Sequence, residues 1–583
     1  MKRIGRLAFR VSAGRGKSPL CRLAATSPTK GGRQRLFGQV LLPCVLTACL
    51  TLTAAASEIP ARTDAAAPEN VARTDAAAPE FDGYLARIDP DALVSLLSAS
   101  APDFPDMAEV YAPAGVYQVD DAAALDALRN CGALLDAEPN YIVTLDDVPG
   151  DAASDAATLL DASEAQWFDA PLELDWVRAQ GFRGQGVRVG VVDSGIFKDH
   201  VEFQGVKILD GANYCVKEGD EARSDISDSY GHGTFVSGLI TAAENGVGIV
   251  GIAPAVELVP LKCFEGKSGS VANIASAIYD AVDTWHCQVL NLSLGLERDS
   301  VMLRQAVEYA DKAGVVMVAA AGNLLSGAHN ENGDPVNYPA AYSSVIGVGA
   351  VDSTLSVSSF SYRNESVEIV APGRNLRGPS PSNAKGYVTG YGTSYAAPMV
   401  TAAAALTLSA RPGLTKAQVR DILLATAHDA GERGYDTAYG YGILHAGHLL
   451  AAASGNLAHQ TEVIRSQLAD AADPAPGLFA AAYDADGAFL AARDVSPLTA
   501  ESEPDETPSL SADADAISAE TFQAEGAALW KLFAFDRAAF APFGASVTLY
   551  GPVAAEDGGA DEGGDSDGGA DDSGPGANND SGK

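Results

Sequence analysis

Three short stretches carry side chains whose types could perform nucleophilic chemistry. VVDSGI ends an apolar run in Asp193, YGHGTFVSGLI sets His232 between two glycines, and YGTSYAAPMV puts Ser394 ahead of a small-residue run. A serine hydroxyl is a weak nucleophile unless a base takes its proton and a third group orients that base. An aspartate accepting the Nδ1–H of a neutral histidine fixes the tautomer and stabilises the imidazolium, while the histidine shuttles the serine proton to the leaving amine. The intermediate also needs donors for its oxyanion. GVVMVAAAGN ends in Asn323, whose amide could supply one, and a helix start offers a backbone N–H. Taken singly, Ser394 reads as a helix N-terminal serine, Asp193 as a strand-end acid, His232 as a structural histidine and Asn323 as a turn residue. Only their combination points to catalysis.

These residues are far apart in the chain, so a fold must gather them. Between about 166 and 455 run VRVGVVD (187–193), VELVPLK (256–262), CQVLNLS (287–293), GVVMVAA (314–320) and SVIGVGA (344–350). Unbroken apolar runs of this length suit parallel strands covered on both faces. Helical patterns lie between them: Val271, Ile274, Ala275, Ile278, Val282 and Trp285 share one face. Alternating strands and helices predict a doubly wound α/β domain, in which groups at strand carboxyl ends and helix starts converge on one rim.

The order Asp, His, Ser, carried by DSG, GHGT, AAGN and GTSYAAP, resembles the subtilisin-like serine proteases over about 166–455. The resemblance implies Asp193, His232 and Ser394 as a triad and Asn323 as the oxyanion residue. It implies Ser293, Leu294 and Gly295 as the segment pairing with substrate backbone, and Ala320, Ala321, Gly322 and Asn337 as pocket lining. Phe235 stands where many members have a second histidine, and Tyr395 where many have methionine. Catalysis needs no cofactor. ENGVGIVGIAP (244–254) resembles the family's calcium loop, with Glu202 and Asn245 offering oxygens; as residues alone it reads as an ordinary turn, so a structural calcium stays open. Residues 81–165, with strand-like AEVYAPAGVYQV, helical DAAALDALRNC, LLDAEPNYIVTL and then a low-complexity loop, resemble an inhibitory α+β propeptide cut between about 145 and 166.

The remainder frames this unit. The 583 residues carry a net charge of −37, although residues 1–35 hold ten Lys/Arg and no acid. Such acidity argues against a nucleic-acid partner. The basic start, the apolar stretch 36–53 and Ala54-Ala55-Ala56 make residues 1–56 a secretory signal; an uncleaved anchor and a lipid on Cys49 remain alternatives. ARTDAAAPE occurs twice in a linker at 57–80. Two strands in LFAAAYDADGAFLAARDV and one in LWKLFAFD predict a β-rich accessory domain at 456–555, before a disordered acidic tail at 556–583. Seven cysteines form no metal spacing or disulfide framework, with a Cys263–Cys287 bridge left open. The reading is a secreted, self-processing serine endopeptidase acting on proteins or peptides, with its own propeptide as inhibitor. It touches membrane only if lipidated or if the signal is uncleaved. The alternative is a catalytically silent subtilisin-fold adhesin or binding protein.

Overall fold

The computed structural model describes residues 80–92, 107–145, 165–324, 329, 333–432, 434–456, 459, 477–483, 489–494, 529–535 and 547–550, all within one compact unit spanning Pro60–Lys583. The signal, the linker, the loop after 145 and the acidic tail lie outside these residues. Among the described residues no helix is long and apolar enough to cross a membrane.

The N-terminal module holds Phe81–Ile88 (β1), Met107–Tyr111 (β2), Val116–Val119 (β3), Ala122–Asn130 (α1) and Leu134–Thr144 (β4). AEVYAPAGVYQV is not one strand. Pro113 has no N–H for a ladder, and a 3-10 turn at Ala112–Ala114, closed by Gly115 N–H to Ala112 O (2.9 Å), folds the segment into a hairpin. Asp121 caps α1 by accepting from Ala124 N–H (2.9 Å). Strand β1 lies between β3 and β4, with both pairings antiparallel.

Next come Leu174–Ala179 (α2), Arg188–Asp193 (β5), Lys207–Ile208 (β6), Ala212–Asn213 (β7), His232–Thr241 (α3), Glu257–Lys262 (β8), Phe264–Glu265 (β9), Ser268–Ser270 (β10), Val271–Asp283 (α4), Val289–Leu292 (β11), Val301–Lys312 (α5), Val316–Ala320 (β12), Val345–Val351 (β13), Ile369–Pro372 (β14), Leu376–Pro379 (β15), Tyr387–Gly390 (β16), Thr393–Ala410 (α6), Lys416–Ala425 (α7) and Ala446–Ser454 (α8). The main sheet runs β14-β13-β12-β11-β5-β8-β6, every pair parallel, so the expected α/β layer forms from the expected apolar runs. Helix α4 buries Val271, Ile274, Ala275 and Ile278 as its pattern predicts. It stops at Asp283, so Trp285 lies past its end, and Val282 and Trp285 are only partly buried. Helix α6 is apolar nearly all round and almost wholly buried, as befits a helix packed against the central strands.

Glu138 and Asn140 of β4 dock the N-terminal module onto the layer. Glu138 accepts from Val301 N–H (2.9 Å) and Met302 N–H (3.0 Å) at the start of α5, and Asn140 Oδ1 accepts from Ala272 N–H (2.9 Å) at the start of α4. Both satisfy amides that a helix start cannot pair internally. The Tyr111 ring stacks on Tyr279 with centroids 3.9 Å apart. Toward the C-terminus, Gly477–Tyr483 (β17), Phe489–Asp494 (β18), Leu529–Phe535 (β19) and Val547–Tyr550 (β20) form an antiparallel sheet in the order β18-β17-β19-β20. Cys131, Cys215, Cys263 and Cys287 are free thiols, so the Cys263–Cys287 bridge does not form. Burial pushes the Cys287 thiol up to about 12.

Candidate active site

Asp193 is the last residue of β5, and His232 is the first of α3; both are sealed from solvent. His232 Nδ1 lies 2.8 and 2.9 Å from the two carboxylate oxygens of Asp193. Asp193 Oδ1 also accepts from Ser194 N–H (2.7 Å), and Ser194 Oγ accepts from Gly233 N–H (2.9 Å). The glycine is required: a Cβ on Gly233 would stand 2.3 Å from Gly195 O and 3.1 Å from Asp193 Oδ1. Asp228 fixes the helix start from the other side, accepting from Gly231 N–H (2.7 Å), Thr234 N–H (2.9 Å) and Thr234 Oγ1 (2.6 Å).

Ser394 is the second residue of α6, and the starts of α3 and α6 meet through Tyr395, whose ring lies 5.3 Å from that of His232 and 4.3 Å from that of Phe235. Phe235 and Tyr395 thus form one aromatic packing unit beside the imidazole. Pro398 removes the amide that would ordinarily bond the Ser394 carbonyl four residues back. Ser293 Oγ donates to that carbonyl instead (2.6 Å). Ser293 in turn accepts from Asn291 Nδ2 (2.8 Å), and Asn291 Oδ1 accepts from Thr401 Oγ1 (2.9 Å). A buried chain therefore ties β11 to the turn that carries Ser394.

Asn323 lies three residues past β12. Its Oδ1 accepts from Thr393 N–H (2.9 Å) and Thr393 Oγ1 (3.1 Å), which orients the amide so that Nδ2 is its donor. Thr393 Oγ1 also accepts from Gly322 N–H (3.1 Å). Thr393, Ser194, Asp228 and Asn291 were not singled out from the sequence. The signal lay inside the motifs, in the Thr of GTS and the Ser of DSG.

A cleft of about 300 Å³ is lined by Ser394, Asn323, Ala320, Gly322, Asn337 and the run Ser293–Glu297. Asn337 Nδ2 donates to Ala320 O (3.0 Å), and Asn337 packs so closely on Gly295 that a Cβ there would clash with its amide. Ala321 is fully buried, packed with Val351, Val367, Val370 and Ile443 rather than facing the cleft. The cleft is also lined by Ile142, Val143, Thr144 and Leu145. Ile142–Thr144 pair antiparallel with Ser268–Ser270 (β10), so that is the strand β4 joins, with Ser293, Leu294 and Gly295 beside it.

Around the 244–254 segment, Glu202 keeps one carboxylate oxygen free for a cation. Glu244 of the segment is taken by Arg183 Nε (2.8 Å). Glu202 Oε1 accepts from Tyr387 OH (2.6 Å) and Ile249 N–H (2.6 Å), whereas its Oε2 is buried with no hydrogen-bond partner among the described residues. Burial pushes its carboxyl up to about 7. Asn245 Oδ1 accepts from Val247 N–H (3.0 Å), while its Nδ2 donates to Val201 O (3.1 Å). The segment is a turn closed on Glu202.

Comparison with known proteins points to one family. Residues 184–442 match the model of the Subtilase family. The chain is similar to subtilisin DY of Bacillus licheniformis, 41% identical over 275 residues, which is 47% of this chain and 94% of that protein. It is 36% identical to subtilisin E of Bacillus subtilis (strain 168) over 269 residues, 46% of this chain and 66% of that protein. The minor extracellular protease Epr of the same strain is 33% identical over 331 residues, 55% of this chain and 48% of its own length.

Proposed function

The chain belongs to the subtilase family of serine endopeptidases, and from that premise we propose that Asp193, His232 and Ser394 hydrolyse peptide bonds through an acyl-enzyme, in a protein made as a zymogen that cuts itself. The observation that carries this is the pairing of His232 Nδ1 with the Asp193 carboxylate at the rim where α6 begins. With Nδ1 facing the acid, proton exchange with the Ser394 hydroxyl falls to Nε2. Ser394 Oγ attacks the scissile carbonyl as His232 takes its proton, and Asp193 stabilises the imidazolium. The developing oxyanion is met by Asn323 Nδ2 and the Ser394 backbone N–H, both fixed before substrate arrives. His232 then protonates the leaving amine, and water releases the acyl group by the same route. No cofactor takes part.

Residues 81–145 would act as the inhibitor. Support comes from Ile142–Leu145 in the cleft beside Ser394 and Asn323, joined as an added strand to β10, and from Glu138 and Asn140 capping two helices of the protease layer. Leu145 is buried there, and this reading puts the cut at the bond that follows it. Residues 1–56 would direct export and 166–455 would form the protease, with 456–555 and 556–583 as accessory region and tail. Substrates are proteins or peptides outside the cytoplasm.

The test is the full chain with Ser394→Ala, purified free of other proteases. It should fold and keep its N-terminal module, whereas the parent yields a mature form beginning at Asp146 or trimmed further downstream within the loop that follows. A mature form arising from Ser394→Ala contradicts self-cleavage. An uncut, unreactive parent favours the adhesin.

A further inference from the structure

Four of the eight histidines lie outside the cleft in one neighbourhood at the other end of the protease sequence. Glu173, His445 and His448 each bring a ligand atom within 4.8 Å of the others. His459 Nε2 lies 2.7 Å from Glu173 Oε2. His428 is close enough to His445 and His448 to interact electrostatically with both.

The backbone is arranged for this gathering. Glu173 holds a left-handed conformation (φ 55°) at the entry to α2, unusual for a residue with a Cβ. Its carboxylate rests on the first turn of α8, where a Cβ on Gly447 would stand 2.0 Å from Glu173 Oε2. Any residue but glycine at 447 would push the carboxylate away. His445 and His448 stack with ring centroids 3.5 Å apart. His445 Nδ1 accepts only a long contact from the His448 N–H (3.3 Å) in capping α8, and the ring also meets its own backbone carbonyl. His448 is hydrogen-bonded to the Thr426 backbone, and the His459 ring is held flat on Trp176 at 3.8 Å. Burial and neighbouring imidazoles lower His445 to about 3 and His448 to about 2, so both are neutral with lone pairs to give.

We propose that Glu173, His445, His448 and His459 form a site for a borderline divalent cation of the zinc class, which pins the entry of the protease layer to its last helix and to the chain beyond it. Three imidazoles and one carboxylate make a four-ligand set suited to zinc, and hard, all-oxygen cations such as calcium and magnesium are disfavoured by it. The Thr426 contact and the Trp176 stack are the outer supports that orient ligating imidazoles. Ligand atoms around tetrahedral zinc sit roughly 3.4 Å apart; those of Glu173, His445 and His448 already lie within 4.8 Å of one another, and His459, in contact with Glu173 Oε2, must swing in to complete the set. Glu173 and His459 give up their mutual hydrogen bond as the metal enters, and His459 presents the tautomer whose Nε2 is bare. Glu173 is remote in sequence from the three histidines, so the ion acts as a cross-link and raises stability by mass action.

The test uses the full chain in a Ser394→Ala background, so that proteolysis does not enter. The protein is stripped with a chelator, freed of it, and titrated with Zn²⁺ by calorimetry; Co²⁺ replaces Zn²⁺ in a parallel optical titration. The parent should bind one zinc per chain, show the visible bands of four-coordinate cobalt, and gain in Tm. His445→Ala/His448→Ala should weaken binding by ~100-fold or more and abolish the Tm gain. His459→Gln, at a partly exposed position, keeps the fold and should weaken binding by ~10-fold or more. Absence of zinc binding in the parent, or binding unchanged in both variants, overturns the site.

Discussion

Asp193 and Glu202 are equally hidden, 1% and 0% exposed, yet they meet opposite partners. Asp193 faces an imidazole that can take up a proton, with a backbone amide completing its shell. Glu202 faces the Tyr387 hydroxyl and the Ile249 amide, and burial outweighs both bonds in raising its pKa. Burying a carboxylate does not by itself make a catalytic group. The partner decides whether its charge is put to use or suppressed.

The largest expected effect separates the two. Asp193→Asn, with the N-terminal module removed in trans, should keep the fold and lose ~10⁴-fold in kcat on a peptide substrate. Glu202→Gln should stay within a few-fold of the parent in the same assay; equal losses would erase the distinction. Next, Asn323→Ala should lose ~100- to 1,000-fold in kcat, a range that itself comes from subtilisin, with KM little changed. A loss confined to KM would make Asn323 a binding residue.

Glu202 itself should be visible in stability against pH. Its folded pKa of about 7 lies above the ordinary 4.5 of a glutamate, so between these values the folded state holds the extra proton. Stability therefore falls as pH rises through that window, by up to ~3 kcal/mol. Urea unfolding of the Ser394→Ala chain at several pH values should show this slope, and Glu202→Gln should flatten it. An unchanged slope would mean that Glu202 is ionised throughout. The smallest effect concerns Ser293→Ala, which removes the donor to the buried Ser394 carbonyl. It should cost ~1–2 kcal/mol in unfolding free energy and lower kcat more than it raises KM. A silent substitution would show that Pro398 leaves no demand for Ser293 to meet.

The cleft was legible in the sequence because its residues sit at strand ends and helix starts, flanked by glycines that close approach requires. Gly233 beside Asp193 is an example. The apolar runs likewise announced the parallel strands. The supports were less legible: Ser293 was expected only as substrate contact, and its bond to the Ser394 carbonyl follows from Pro398 in the partner helix. The cluster around Glu173 was invisible, since its ligands come from positions 173, 445, 448 and 459 with no motif joining them. The split of AEVYAPAGVYQV into a hairpin is carried by Pro113 and Gly115, whose turn outweighs the apolar pattern on either side.

The most direct test of the central claim is covalent labelling of the processed protein with a fluorophosphonate, followed by peptide mass mapping. The account predicts one adduct, on Ser394, strongly reduced in His232→Ala. A folded, processed protein that takes no label, or takes it on another serine, would contradict it.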